Sequence, residues 1–291
     1  MGKVNVIENV VNVSKILREH GASAYSAAQG FTLGANGLKF AVSLDDDTNP
    51  DKAALIGITD SHQYVRTGLV LGHGNDCTYY SGYYYVTVGG DSDAPTTVKR
   101  YKLDTLSSEK WVGAGTFTYD PIIASEIKTK ALTKVSAIAH IFGENFILSQ
   151  RDRFSVCRLD ETNKKFVEFS RFQMSEDDYD KLSRSGCGDP IPQAMYYARS
   201  KVYKAFSYRN TNTEEIKEND IAVLSLKGTT PSFNGISLDT IYSCDRTSKL
   251  RFEVEGIGAS DGLTNMYMYA NVKESESSKQ SDSIYSITLQ D

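Results

Sequence analysis

The sequence predicts an all-β chain on three observations: a tyrosine-rich composition, a strand-turn-strand-loop-strand unit that recurs along the chain, and a final unit short of one strand. Among 291 residues there are 18 Tyr, 12 Phe and a single Trp. Aromatic and β-branched side chains fill the half-buried face of a pleated sheet, so this bias favours strands. Hydrophobic residues at 40% and charged residues at 24% describe a globular chain with enough apolar surface for a large core.

The clearest unit lies between Gly72 and Gly90 and continues past it. Asp76 to Tyr80 and Tyr83 to Val88 read as two strands joined by Ser81-Gly82, which supplies the positive φ that a hairpin turn needs. Val98 to Asp104 then alternates apolar and polar residues as a third, half-buried strand does. Before this unit, the β-branched density of Lys3 to Val13 predicts a strand, Ser14 to His20 a short helical turn, and Gly21 to Ala28 a connector.

Four other segments repeat the pattern. The first is Ala28 to Leu33, a turn at Asn36-Gly37, Leu38 to Ser43, an acidic loop, and Ala53 to Ile58. The third is Val135 to His140, Asn145 to Ser149 and Phe154 to Asp160. The fourth is Pro192 to Tyr197, Val202 to Ser207 and Ile221 to Leu226. The fifth is Val254 to Ala259, a turn at Asp261-Gly262, Met266 to Ala270 and Ser283 to Leu289. The apolar anchors of the first strands, Phe31, Cys77, Ile138, Met195 and Ile257, lie 46, 61, 57 and 62 residues apart. Such spacing suits four-stranded blades with extra length in loops.

Outer strands are expected at Gln63 to Leu71, Lys110 to Tyr119, Lys165 to Met174, and at Ile236 to Ser243 or Lys249 to Val254. Only Gln290 and Asp291 follow the fifth unit, so its outer strand must come from elsewhere, and Lys3 to Val13 is the donor. The expected fold is therefore a single five-bladed β-propeller of four-stranded blades, its ring closed by the N-terminal strand. Residues 1–27 form the closing segment and 28–291 the propeller, with blades near 28–71, 72–119, 135–174, 191–243 and 252–289. A β-sandwich is the competing architecture.

Gln29-Gly30-Phe31 and Gly72-His73-Gly74-Asn75, with Tyr-rich second strands and closing Ile-Tyr-x-Ile or Tyr-x-Leu-Asp strands, resemble the repeats of five-bladed propeller domains of the phage tail-associated and teichoic-acid-biosynthesis-C type. The resemblance runs from Ala28 to Leu289. It implies a propeller and, more weakly, a place in a phage-like or cell-surface assembly.

Net charge is −5, so no positive field draws the chain onto a phosphate backbone and nucleic acid is not an expected partner. The N-terminal segment has no uninterrupted apolar run, so neither a secretory signal nor a membrane span is expected, and the chain reads as made in the cytoplasm. Cys77, Cys157, Cys187 and Cys244 include no CxxC pair, which suits four reduced thiols and no metal site; two disulfides are the alternative. No cofactor is expected.

In a propeller the first strand of each blade lines the central channel. Aligning the copies places Gln29, Asn75, Ser136, Gln193 and Glu255 in one polar ring, and convergent polar groups in an apolar concave wall are what a small-molecule or glycan pocket requires. His73 and Asp76 flank it, and an imidazole beside a carboxylate can serve as acid, base or ligand. The first expectation is thus a non-catalytic, lectin-like module binding a glycan or cell-envelope polymer through Gln29, His73, Asn75, Asp76, Ser136, Gln193 and Glu255.

The second expectation is a glycoside hydrolase or lyase using His73, Asp76 and Glu255. Five-bladed glycosidases of the arabinanase and fructosidase kind set an acid, a base or nucleophile and a supporting carboxylate on channel-facing strands. Gln29, Ser136 and Gln193 stand here where further acids would serve. A protein-binding scaffold, presenting its blade-top loops, is the third. Asp45-Asp46-Asp47 lacks the spacing of a calcium loop and reads as a solvated loop. Ser175 to Asp189 reads as a short helical insertion, and Ser185-Gly186-Cys187-Gly188 lacks the GxSxG of a nucleophile elbow.

Overall fold

The computed structural model describes residues 1–34, 38–46, 48–88, 94–104, 110–123, 128–229, 232–246, 248–260 and 263–291. The Asn36-Gly37 and Asp261-Gly262 turns and Asp47 lie outside the described residues.

The chain opens with strand β1 (Gly2–Asn12) and helix α1 (Val13–Glu19), the latter capped by the Asn12 side chain accepting the Lys15 N–H at 2.8 Å. Blade one comprises β2 (Tyr25–Leu33), β3 (Phe40–Asp46), β4 (Asn49–Ile58) and β5 (Gln63–Val70). Blade two comprises β6 (Cys77–Tyr80), β7 (Tyr83–Thr87), β8 (Thr97–Asp104) and β9 (Lys110–Asp120). Blade three comprises β10 (Ala137–Phe142), β11 (Asn145–Gln150), β12 (Arg153–Asp160) and β13 (Lys165–Gln173), and helix α2 (Glu176–Asp180) follows as the expected insertion. Blade four comprises β14 (Ile191–Ala198), β15 (Lys201–Arg209), β16 (Ile216–Thr229) and β17 (Ser232–Ser243). Blade five has β18 (Arg251–Ser260), β19 (Asn265–Lys273) and β20 (Ser281–Gln290), and β1 completes it by antiparallel pairing with β20. The outer strand of blade four is therefore Ile236 to Ser243, while Lys249 to Val254 leads into the inner strand of blade five.

Ser81 and Gly82 both have positive φ, 50° and 86°, and this turn sets the register that pairs Tyr80 with Tyr83. The innermost strands meet around the axis in the order β2, β6, β10, β14, β18 and back to β2. At the rim β1 runs parallel to β17, and β9 parallel to β13.

Packing separates a propeller from a sandwich. A sandwich buries one core between two sheets, whereas the described residues form five apolar clusters, one in each gap between adjacent blades. Trp111 and Tyr84 fill the gap between blades one and two, and Phe117, Phe146 and Phe166 that between two and three. Phe154, Phe206 and Leu224 fill the next, and Phe252, Val254 and Met268 the gap between four and five. The seam between blades five and one holds Phe31, Phe40 and Tyr269 together with Val13, Ile16 and Leu17 of α1. The segment expected to be a connector thus contributes the start of β2, and the helix before it plugs the seam.

Polar side chains stitch the same gaps. Asn219 accepts the Val254 N–H at 3.0 Å and donates to the Phe252 carbonyl at 2.9 Å, tying blade four to blade five. In the next seam Asp282 accepts the Ala28 N–H at 3.1 Å and the Ser14 hydroxyl at 3.2 Å. The four cysteines are free thiols, with Cys77, Cys157 and Cys244 buried and Cys187 half-buried. Among the described residues no helix is long and apolar enough to cross a membrane.

Candidate active site at the polar mouth

The inner strands gather two chemically different sets of side chains, a polar and acidic set towards their starts, termed the polar mouth, and an apolar-floored cavity towards their ends. Between them stands Asp76, which is wholly buried and whose carboxylate accepts three backbone N–H groups: Cys77 at 2.8 Å, Ile138 at 2.9 Å and Met195 at 3.1 Å. It thereby ties the inner strands of blades two, three and four. Gly30 of blade one packs on the Asp76 backbone so closely that an added Cβ would lie 2.9 Å from its carbonyl carbon, which only glycine permits. Burial pushes the Asp76 carboxyl up to about 8, against the pull of the Ile138 and Met195 N–H groups and of the Lys204 charge.

Asp76 is therefore a structural acid in the wall and not the partner of His73. The His73 Nδ1 instead bonds the Asp45 carboxylate of β3, across the gap between blades one and two. Asp45 is 5% exposed and sits in a strand, so the expected solvated loop is corrected here as well. The imidazole, 43% exposed, is held by this carboxylate.

Three residues of β18 gather at the polar mouth: Arg251, Glu253 and Glu255. Arg251 and Glu253, two apart, share one face, and Glu255 sits in a bulge between Val254 and Gly256 with its carboxyl near both charges. Glu253 is occupied on both oxygens, by Arg251 at Oε2, with Nε at 3.1 Å, and by the Gln193 amide at Oε1, at 3.2 Å. Glu255 is 5% exposed and has no hydrogen-bond or ion-pair partner among the described residues. Burial raises its protonation well above the usual carboxylate range, the Glu253, Asp282 and Asp45 charges raise it further, and Arg251 opposes them. The result is a carboxyl that holds its proton more tightly than usual beside an ion-paired carboxylate.

The other ring positions divide. Gln193 reaches Glu253, Gln29 is half-buried on β2, and Asn75 is half-buried with its Oδ1 enclosed and without a partner. Ser136 turns away, its hydroxyl donating to the Ser149 carbonyl at 3.0 Å within its own blade. Around the acids, the Tyr269 hydroxyl and the Asn271 Oδ1 are also buried without partners among the described residues. Enclosed polar atoms of this kind need a partner, and a hydroxyl-rich ligand or ordered water provides one.

Glu253 and Asp45 are the residues the sequence reading missed. The Arg-x-Glu-x-Glu alternation at 251–255 was the available signal for the first; nothing local marked the second. No group of three or more His, Cys, Asp or Glu among the described residues could hold a metal ion.

No protein-family model matches the sequence, and a search of curated proteins gives no match. Solved structures do match in fold. An exo-1,5-α-L-arabinanase from a bovine ruminal metagenomic library superposes with a TM-score of 0.51 at 11% identity, over 92% of this chain and 98% of that one. Cellvibrio cellulosa α-L-arabinanase, solved in complex with arabinohexaose, gives 0.51 at 13% identity, over 90% and 92%. A bifunctional GH43-CE protein of Bacteroides eggerthii gives 0.51 at 9% identity; the match covers 90% of this chain and 33% of that one, so this chain spans about a third of that protein's length. At these identities the likeness is one of fold. It supports a propeller, but not the phage-tail or teichoic-acid type that the sequence motifs resemble.

Proposed function

We propose that the chain is a glycoside hydrolase that works at the polar mouth, with Glu255 as the proton donor. The observation that carries this reading is the pairing of environments on β18. Glu255 is buried, and that burial holds its proton more tightly than in an ordinary carboxyl, whereas Glu253, two residues away, is ion-paired with Arg251 and held by Gln193. A carboxyl kept protonated by its surroundings can supply the proton for cleavage of a glycosidic bond, and the charge of the neighbouring Glu253 carboxylate stabilises the positive charge that develops on the sugar.

In the proposed step Glu255 gives its proton to the glycosidic oxygen as the bond from that oxygen to the anomeric carbon breaks. Water forms the new bond to that carbon, and its proton passes to the His73 imidazole, which Asp45 orients through Nδ1. Asn75, Gln29 and the Tyr269 hydroxyl supply acceptors and donors for sugar hydroxyls. The arabinanase names among the fold neighbours make arabino-oligosaccharides the first substrates to try.

The test measures reducing ends released from these oligosaccharides. Turnover should fall by about 10²- to 10⁴-fold in Glu255→Gln, the usual worth of a general acid, with the melting temperature kept. Full turnover in that variant would remove Glu255 from the chemistry. A second reading, glycan binding without cleavage, is favoured by the withdrawal of Asp76 into the wall, which leaves fewer free acids at the mouth. Its signature is a melting-temperature rise with arabinohexaose and no released sugar.

A further inference from the structure

The opposite end of the inner strands holds a cavity with an apolar floor. It encloses about 270 Å³ and draws on the inner strands of all five blades. Its floor is apolar and buried, one residue from each strand: Phe31, Cys77, Ala139, Met195 and Ile257. Its wall rises through Thr32, Thr78, His140 and the half-buried rings of Tyr79, Tyr196 and Tyr197. Asp76 separates it from the polar mouth, since the backbone N–H groups of two floor residues, Cys77 and Met195, are bonded to that carboxylate.

Four of the wall's hydroxyls are already bonded within the protein. Tyr196 donates its hydroxyl to the Ala259 carbonyl at 2.8 Å, and Thr32 donates to the Leu33 carbonyl at 3.3 Å. Thr78 accepts the His140 N–H at 3.2 Å, and the Tyr79 hydroxyl accepts the Gly82 N–H at 3.1 Å. A sugar would lose its hydration here and regain few hydrogen bonds, which argues against a polyhydroxyl ligand.

His140 adds an acceptor to this wall. The His140 ring donates from Nε2 to the Gly143 carbonyl at 2.8 Å and is stacked on Tyr80, with centroids 4.5 Å apart. Burial lowers its affinity for a second proton, so the ring is neutral and its Nδ1 is an acceptor. An apolar cavity of about 150 Å³ suffices for benzene. The larger volume here suits one ring or two fused rings.

We propose that this cavity binds a small apolar ring bearing a single hydrogen-bond donor, of the indole or phenol class, with the ring on the Phe31-Met195-Ile257 floor and its donor directed to His140 Nδ1. The site is independent of the glycan reading.

Ligand-detected saturation-transfer NMR with indole, toluene and arabinohexaose on the intact chain tests it. Indole should bind the wild type at millimolar concentration or below. Thr32→Trp, which fills the cavity from a half-buried position, should abolish indole binding while Glu255→Gln leaves it unchanged. His140→Leu should weaken indole by about tenfold, the worth of one hydrogen bond, and leave toluene unaffected. Absence of indole binding to the wild type overturns the proposal, as does equal indole binding by a folded Thr32→Trp. Should Thr32→Trp not fold, His140→Leu decides: unchanged indole affinity, or equal loss of toluene, removes the donor assignment. Loss of indole binding on adding arabinohexaose would place both ligands in one site and overturn it too.

Discussion

The Asp76 carboxylate of blade two accepts the backbone N–H of Met195 in blade four at 3.1 Å, a contact across the propeller axis between residues 119 apart in sequence. The same oxygen takes the Ile138 N–H, and the other takes that of Cys77. Truncation to alanine leaves three buried donors unpaired, at about 1–3 kcal/mol each. Asp76→Ala should therefore lose at least about 3 kcal/mol in urea unfolding, whereas Asp76→Asn, which keeps an acceptor oxygen, should lose about half as much or less. Equal stability of Asp76→Ala and the wild type would show that the axis is held by packing alone.

The same residue makes stability depend on pH. Its folded value, about 8, is raised from the ordinary 3.8. Below 3.8 both folded and unfolded chains hold the proton; between there and about 8 only the folded chain does, so this contribution is lost as pH rises, by up to ~1.4 kcal/mol per unit. Lys204, wholly buried with its ammonium donating to Ser149 Oγ at 2.9 Å, is lowered from 10.5 to about 8. Between about 8 and 10.5 the unfolded chain alone holds that proton, so its contribution rises with pH. Relative to the wild type, Asp76→Asn should flatten the decline between pH 4 and 8. Lys204→Met should lose the relative gain above pH 8. Parallel unfolding curves for wild type and variants across these windows would exclude both groups as the cause.

What was readable from the sequence follows the range of the interactions. The blades were legible because hairpin turns and the two-residue period of a strand are local, and because each inner strand carries one apolar anchor such as Phe31 or Ile257. The donor strand was legible because the fifth unit lacked a partner. The site was legible only in part. His73 is at the mouth, but its carboxylate, Asp45, belongs to another blade and looked like one of three acids in a loop. A register shift between Val254 and Gly256 leaves Glu255 outside the pairing that holds Glu253, so counting along β18 could not show which of the two is ion-paired. Asp76 reads in the sequence as a site acid beside His73, whereas its three backbone partners arise only when the ring closes.

Arg251 links the two acids of β18, and its removal gives a pH-resolved prediction. Its guanidinium holds Glu253 and draws Glu255 downward against burial. In Arg251→Met, Glu255 should keep its proton to higher pH, so the basic limb of the pH-rate profile moves upward. Turnover at the optimum should fall by about ten- to a hundredfold through misplacement of Glu253. A basic limb that stays in place while activity falls would mean that Glu255 is not the titrating acid.

Ring closure offers the last prediction. β1 is the outer strand of blade five, paired with β20 from Lys3 opposite Gln290 to Asn12 opposite Ser283, and α1 behind it fills the seam to blade one. Removing residues 1–12 leaves α1 in place but strips the cap donated by Asn12 and exposes the β20 edge, whose unpaired N–H and C=O groups invite another strand. The truncated chain should lose on the order of 5 kcal/mol, from several net hydrogen bonds of about 1 kcal/mol each, and should self-associate. A synthetic peptide of residues 2–12 should bind the free edge in trans, restore the melting temperature and suppress association, since the vacant position specifies both direction and register. Hydrogen exchange reads the same event residue by residue: protection should vanish first at β20, next at Ala28, whose N–H is held by Asp282, and last at the inner strands bonded to Asp76. A truncated chain that melts with the wild type and ignores the peptide would show that blade five stands on three strands.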